Sequence, residues 1–381
     1  MAIEPIIAAE APSFDVEGKL VAPGFVETHI HLDKSNILSR CTSSNGSLDK
    51  AIAEVARLKR AFTAEDVYAR AERTLKQCIL HGTTHMRTHL EVDPAVELRS
   101  FEGIRQLIAD YKWAIDVEIC VFPQEGLLNY PGTEELLLSA LKQGAIVLGA
   151  APYTDSDPHG QINRIFDIAR EFDVDIDMHL DFSLDPESMD LLYVCEKVEE
   201  FGYGGRVAIG HVTKLSAVAP NTMRTCAKRL ADAGVALTVL PSTDLYLMGR
   251  GATHNAARGV TPAHDLLNHG VNCSLATNNV LNPFTPLGDC SLIRMANLYA
   301  NVCHVTPGAN TRACFDMITE RPARLMNLKH YGLAPGMTAD LVVLDAETPE
   351  AAVAELAPVS AAFKRGVQTM TRPAAVLHEP G

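Results

Sequence analysis

The chain has 381 residues and a formal net charge of −14 at pH 7, with 47% apolar and 21% charged residues. That length suits one α/β barrel with a small accessory unit, and the acidic balance argues against nucleic acid or an acidic membrane as partner, because no basic excess is present to neutralise phosphates. No run approaches the roughly 20 apolar residues of a membrane span, and the start, MAIEPIIAAEAPSFD, has no long apolar leader core. Nine scattered cysteines with no CxxC pair read as reduced thiols of a cytoplasmic protein.

Short apolar runs alternate with longer helical patterns along the chain. Strands are predicted at LVAPGFVETHIH (20–31), TTHMRTHL (83–90), AIDVEICVFP (114–123), AIVLGAAP (145–152), VDIDMHLD (174–181), RVAIGHV (206–212), VALTVLP (235–241) and NCSLATNN (272–279). Between them lie amphipathic stretches such as AEDVYARAERTLKQCILHG and SMDLLYVCEKVEEFG, several ending in the glycine that caps a helix. Eight strands separated by helices, with no glycine-rich phosphate fingerprint, predict a closed (β/α)8 TIM barrel over residues 21–330 rather than an open doubly wound sheet. The segment YGLAPGMTADLVVLDAE (331–347) reads as a strand outside the barrel. Residues 1–20 and 331–381 are therefore expected to build a small, reduced β unit from both termini. Its bare edges would need cover, for which a second copy of the chain in a homo-oligomer is one candidate.

The chemically able residues collect at one end of these runs. His29 and His31, Gln124, His179, His211, and Asn278 with Asn279 all stand at or just past the C-terminal tips of predicted strands, the face on which such barrels carry their active sites. His29 and His31 are two apart and share a face of their strand. Two such imidazoles begin a metal site, and His179 in DMHLD is the natural third ligand. His211 in IGHVTK either ligates as well or acts on substrate as acid or base.

PGFVETHIHLDKS, VFPQEGLLNYPG, MHLD, GHVT, NPFTPLGD and RPARLMNLKHYGLAPGMTADLVVLDAE together resemble the amidohydrolase superfamily, in its cytosine deaminase and N-isopropylammelide amidohydrolase branch. The resemblance covers nearly the whole chain. It implies a (β/α)8 barrel with a small β-sandwich and one divalent metal ion on His29, His31 and His179. Zinc is the first choice, with iron or manganese compatible with the same donors. It further implies that Gln124 hydrogen-bonds a heterocycle and that His211 is catalytic. Where the family carries a metal-binding aspartate after the last strand, this chain has Asn278, an amide that can ligate but brings no charge and is no base. Where cytosine deaminase has a glutamate three residues past the third histidine, it has Phe182, which makes the pocket less polar. Asp181, two residues past His179, is expected to take the displaced base role, its alternative being a capping or exposed carboxylate. Asn278 is left as ligand or substrate contact, and Asn279 as a second polar handle on substrate. The expected activity is hydrolysis of a carbon–nitrogen bond in a small nitrogen heterocycle or related amide. The competing expectation is a degenerate barrel that binds or regulates without turnover.

Overall fold

The computed structural model describes residues 1–4, 13–42 and 46–378 of the protein. Part of the expected N-terminal unit, residues 5–12, lies outside the described residues. The strands in chain order are β1 (Leu20–Pro23), β2 (Phe25–Ile30), β3 (Thr83–Glu91), β4 (Asp116–Phe122), β5 (Val147–Ala150), β6 (Asp175–Leu180), β7 (Val207–His211), β8 (Ala236–Val239), β9 (Cys273–Leu275), β10 (Leu341–Leu344), β11 (Val359–Lys364) and β12 (Val367–Thr371). β2 to β9 form one sheet in which each strand pairs in parallel with the next. β1, β10, β11 and β12 form a second, antiparallel sheet in that order.

The run read as one strand at 20–31 is two. Pro23 has no N–H to continue a ladder, and a Cβ on Gly24 would run into the Thr84 side chain, so the backbone passes there from the small sheet into the barrel. The crossovers obey ordinary helix rules. Helix Ala64–Leu80 begins where the Thr63 side chain accepts the Asp66 N–H, and it buries Val67, Ala71, Leu75 and Cys78 at helical spacing. Helices Asp190–Phe201 and Pro220–Ala233 end on Gly202 and Gly234, both in the left-handed conformation. No helix among the described residues is long and apolar enough to cross a membrane.

The barrel closes at the place where its chemistry sits. Beyond β9 the chain meets β2 again: the Asn278 N–H donates to the His29 carbonyl at 2.8 Å, and the His31 N–H donates to the Asn278 carbonyl at 2.9 Å. The Glu27 carboxylate bridges the same seam, accepting the N–H groups of His29 (3.2 Å) and Thr277 (3.1 Å). Between Glu27 and Ile30 the register against β3 slips, three steps on β2 facing two on β3 from Met86 to Thr88. This bulge lets Thr28 bond to Ser274 on the neighbouring stave at the seam (3.0 Å) while the adjacent His29 also faces inward toward His179.

The interior rises in polar storeys two residues apart. Arg87 on β3 crosses to Asp177 on β6 (2.7 Å) and pairs with Glu118 on β4 (2.5 Å). One storey higher stand His89 and His179. Met86 and Leu90, on the other face of β3, join the main apolar core.

Lys364 anchors the small sheet to the barrel floor. Almost wholly buried, its ammonium donates to the Thr84 carbonyl (2.9 Å), Asp340 (2.8 Å) and Asp116 (2.8 Å). Lys364→Met leaves the buried Asp340 without its cation, a loss of about 3 kcal/mol, so thermal unfolding should start at lower temperature. Adding Asp340→Asn should recover part of that loss, and a single variant that melts with the parent would show that this anchor carries no stability.

Candidate active site

Three imidazoles from two staves, His29 and His31 from β2 and its tip and His179 from β6, point their Nε2 atoms at one spot. His179 Nε2 lies 3.0 Å from that of His29 and 3.1 Å from that of His31. All three rings are 3% exposed or less. His29 reaches its place because β7 has a glycine beside it: a Cβ on Gly210 would come within 3.1 Å of the His29 ring. His31 donates through Nδ1 to the His89 carbonyl, 3.0 Å away, while His89 stacks on His29 (3.7 Å between centroids) and Phe122 stacks on His179 (4.5 Å).

Electrostatics keep these rings neutral. Burial, reinforced by the neighbouring imidazoles, holds His29 and His179 well below the usual histidine range. Burial first and the Lys34 ammonium second do the same for His31. His31, donating from Nδ1, presents its Nε2 lone pair to the cluster, and the spacing of the three nitrogens suits donors about 2.0–2.1 Å from a shared ion. The donor set therefore fits a divalent metal.

His211, on the tip of β7, stands beside this cluster. Its Nδ1 donates to Asp244 at 2.6 Å, its Nε2 lies 3.4 Å from Asn278 Nδ2, and the Phe182 ring lies flat against it at 3.7 Å. Asn279 joins by donating to Asn278 Oδ1 at 2.8 Å. The turns that carry these groups are left-handed: His211, Val212 and Asn278 have φ of 69°, 46° and 64°. Asparagine tolerates that region and valine does not, so the tip of β7 is strained where the chain must turn His211 inward.

Gln124, just past β4, belongs to a second group. Its Oε1 faces Lys34 Nζ at 3.5 Å, and its buried Nε2 has no hydrogen-bond partner among the described residues. Lys34 pairs with Glu91 at 2.6 Å and lies over the Phe284 ring. Lys59 bonds Glu91 at 2.9 Å and also meets Asp93 and Glu125. Burial alone would raise Glu91, but the Lys34 and Lys59 ammoniums bring it down to about 2, whereas burial and the Glu91 charge push Glu125 up to about 8.

Two expectations do not fit this arrangement. Asp181 does not turn toward the imidazoles: its oxygens accept the N–H groups of Asp190 and Leu191, each at 3.0 Å, at the start of helix Asp190–Phe201, and Lys214 sits 3.4 Å away. It is the capping carboxylate, because its left-handed backbone (φ 49°) swings it out of the β6 alternation. Asn278 does not aim its oxygen at the cluster either, since Oδ1 is engaged by Asn279. Sequence reasoning missed Asp244, His89, Glu91 and Asp177. A ligand or catalytic histidine needs a partner for its second nitrogen, but nothing in PSTDLYLMGR marks Asp244 as the one for His211.

The protein-family model for the amidohydrolase family matches residues 13–110 and 111–369. The chain belongs to the amidohydrolase family. It is 27% identical over 360 residues to the N-isopropylammelide isopropyl amidohydrolase of Pseudomonas sp. (strain ADP), covering 92% of this chain and 86% of that protein. It is 28% identical over 342 residues to the pterin deaminase of Rhizobium rhizogenes, covering 89% and 78%. The crystal structure of 5-methylcytosine deaminase from Klebsiella pneumoniae liganded with 5-fluorocytosine superposes with a TM-score of 0.94 at 28% identity, covering all of this chain and 93% of that one. This amidohydrolase is a hydrolase of carbon–nitrogen bonds, and the reading as a degenerate binding barrel is not favoured.

With both oxygens of Asp181 on a helix start, Asp181→Asn should keep its metal content and remain within about threefold of the parent in kcat/KM. It should lose about 1 kcal/mol of capping, read as an earlier thermal melt. A hundredfold loss of turnover would return the base to Asp181.

Proposed function

We propose that this amidohydrolase removes an amino or alkylamino substituent from a planar nitrogen heterocycle, or opens a cyclic amide, using one divalent ion held by His29, His31 and His179. The observation that carries the reading is the convergence of three Nε2 atoms, with those of His29 and His31 3.0 and 3.1 Å from that of His179. The substrates in the names of its relatives, N-isopropylammelide, pterin and 5-methylcytosine, support that class. Zinc is the ion of choice for an all-imidazole set, with iron or manganese as alternatives. A divalent ion in that place supplies Lewis acidity and makes water a nucleophile near neutral pH.

The chain's own residues do the rest. His211 keeps its Nδ1 proton on Asp244 and presents Nε2 to the site, where it takes a proton from the attacking side and returns it to the leaving nitrogen. Phe182, flat on His211, replaces a polar wall with an aromatic one and excludes water beside the transferring proton. Gln124 offers an unpartnered buried N–H, which calls for a carbonyl oxygen or ring nitrogen on the substrate. The nine unpaired cysteines support a cytoplasmic setting.

Protein stripped of metal and reloaded with zinc, iron(II) or manganese should release ammonia or alkylamine from at least one member of a panel of aminopyrimidines, pterins and aminotriazines. His179→Ala should abolish tight metal binding and lower kcat/KM by at least about 10³-fold. Failure of every loaded form on every member would defeat the reading. Gln124→Ala should act mainly on KM, raising it about tenfold or more as a site built to donate a hydrogen bond loses its donor.

A further inference from the structure

Beside the three imidazoles runs a chain of hydrogen bonds in which every link points the same way. Asp244, fully buried in helix Pro241–Leu247, accepts at both oxygens: Oδ2 takes the Leu240 N–H at 3.2 Å and Oδ1 takes His211 Nδ1 at 2.6 Å. In the neutral ring this puts the proton on Nδ1 and leaves a lone pair on Nε2. A lone pair must face a donor, and Asn278 meets it with Nδ2 at 3.4 Å. Asn278 Oδ1 is thereby turned away and accepts Asn279 Nδ2 at 2.8 Å, and Asn279 Oδ1 in turn accepts Asn282 Nδ2 at 2.6 Å. The last oxygen, Asn282 Oδ1, takes the backbone N–H groups of Phe284 (3.0 Å) and Thr285 (3.1 Å).

Both ends of this chain are irreversible. A carboxylate can only accept and a backbone N–H can only donate, so each of the three amides between them has one permitted orientation. Rotating Asn278 alone would set its oxygen against the His211 lone pair and its NH2 against the NH2 of Asn279.

We propose that Asp244 is a positioning residue that, acting through His211, holds Asn278 so that position 278 offers the site an N–H donor and not a metal-ligating oxygen. The protein's share of the ion's coordination is then the three imidazoles alone. The second N–H of Asn278, which has no partner among the described residues, hydrogen-bonds an acceptor on the substrate, a carbonyl oxygen or an unprotonated ring nitrogen. The negative charge that residue 278 lacks is carried by Asp244, behind His211. This inference rests on the ion site proposed above, and its test separates the two.

The first measurement uses ion-free protein and involves no turnover. Ring ¹⁵N correlation spectra, with His211 assigned by the loss of its signals in His211→Gln, should show one tautomer, protonated at Nδ1. In Asp244→Asn the single amide oxygen is drawn to the Leu240 N–H, its NH2 faces His211, and the single Nδ1–H tautomer should disappear; Asp244→Ala serves where that variant does not fold. Retention of the parent spectrum in the variant overturns the positioning role, whether or not any ion binds. The second measurement is zinc affinity by chelator competition. Asn278→Ala should stay within about twofold of the parent while kcat/KM falls about tenfold to hundredfold. A tenfold or larger drop in zinc affinity would make Asn278 a ligand and overturn the inference. A parent that binds no zinc at all would defeat the proposed function, and the spectra would still decide the role of Asp244.

Discussion

Three buried imidazoles with their Nε2 atoms turned to one spot are an arrangement that one shared cation satisfies. Each of those nitrogens is buried, His179 faces both others at hydrogen-bond distance, and burial disfavours protonation of the rings. The rest of the molecule follows from holding them there. The bulge in β2 turns His29 inward, Gly210 clears room for its ring, and the seam between β2 and the chain after β9 brings Asn278 beside His211. A one-residue change of register at that seam would turn the HxH pair out of the barrel.

The charges around this neutral cluster are kept apart in separate compartments. Arg87, Glu118 and Asp177 neutralise one another on the storey below. Lys34, Lys59, Glu91 and Asp93 do so on one flank, close enough for Lys34 to act on His31 and to hold the oxygen of Gln124. Asp244 stands on the other flank with His211 between it and the imidazoles. Removing the carboxylate usual after the last strand therefore does not strip the region of acid. Asp244 stands one side chain back behind His211, and the Asp177 carboxylate lies close to His89 and His29; in the function proposed above, amide N–H groups from Gln124 and Asn278 are the polar surface offered to a ligand. Such a surface favours an acceptor-rich planar molecule, and the Phe182 ring against His211 favours one that stacks.

How much could be read from the amino acids alone follows from the range of the forces involved. Period-two and period-3.6 patterning act over a few residues, so the eight barrel strands and their order were legible, as were His29, His31, His179 and His211 at strand tips. The turn at Pro23–Gly24 was misread as the middle of a strand because apolar character runs through it unbroken, and only the contact with Thr84 shows why a glycine stands there. Asp181 illustrates the same limit: alternation puts it on the His179 face, but a left-handed turn at the strand end, stabilised by helix N–H groups nine and ten residues on, decides otherwise.

Local sequence thus determined the barrel, the metal-type histidine set and the absence of an acid at position 278, because each depends on residue type and short spacing. Only the tertiary structure decided which way the amide of Asn278 faces and which carboxylate stands behind His211. Those outcomes depend on Asp244, in the helix after β8, meeting through His211 the segment after β9 that carries Asn279, Asn282 and two backbone N–H groups, and a hydrogen bond acquires its direction from the partners at its ends.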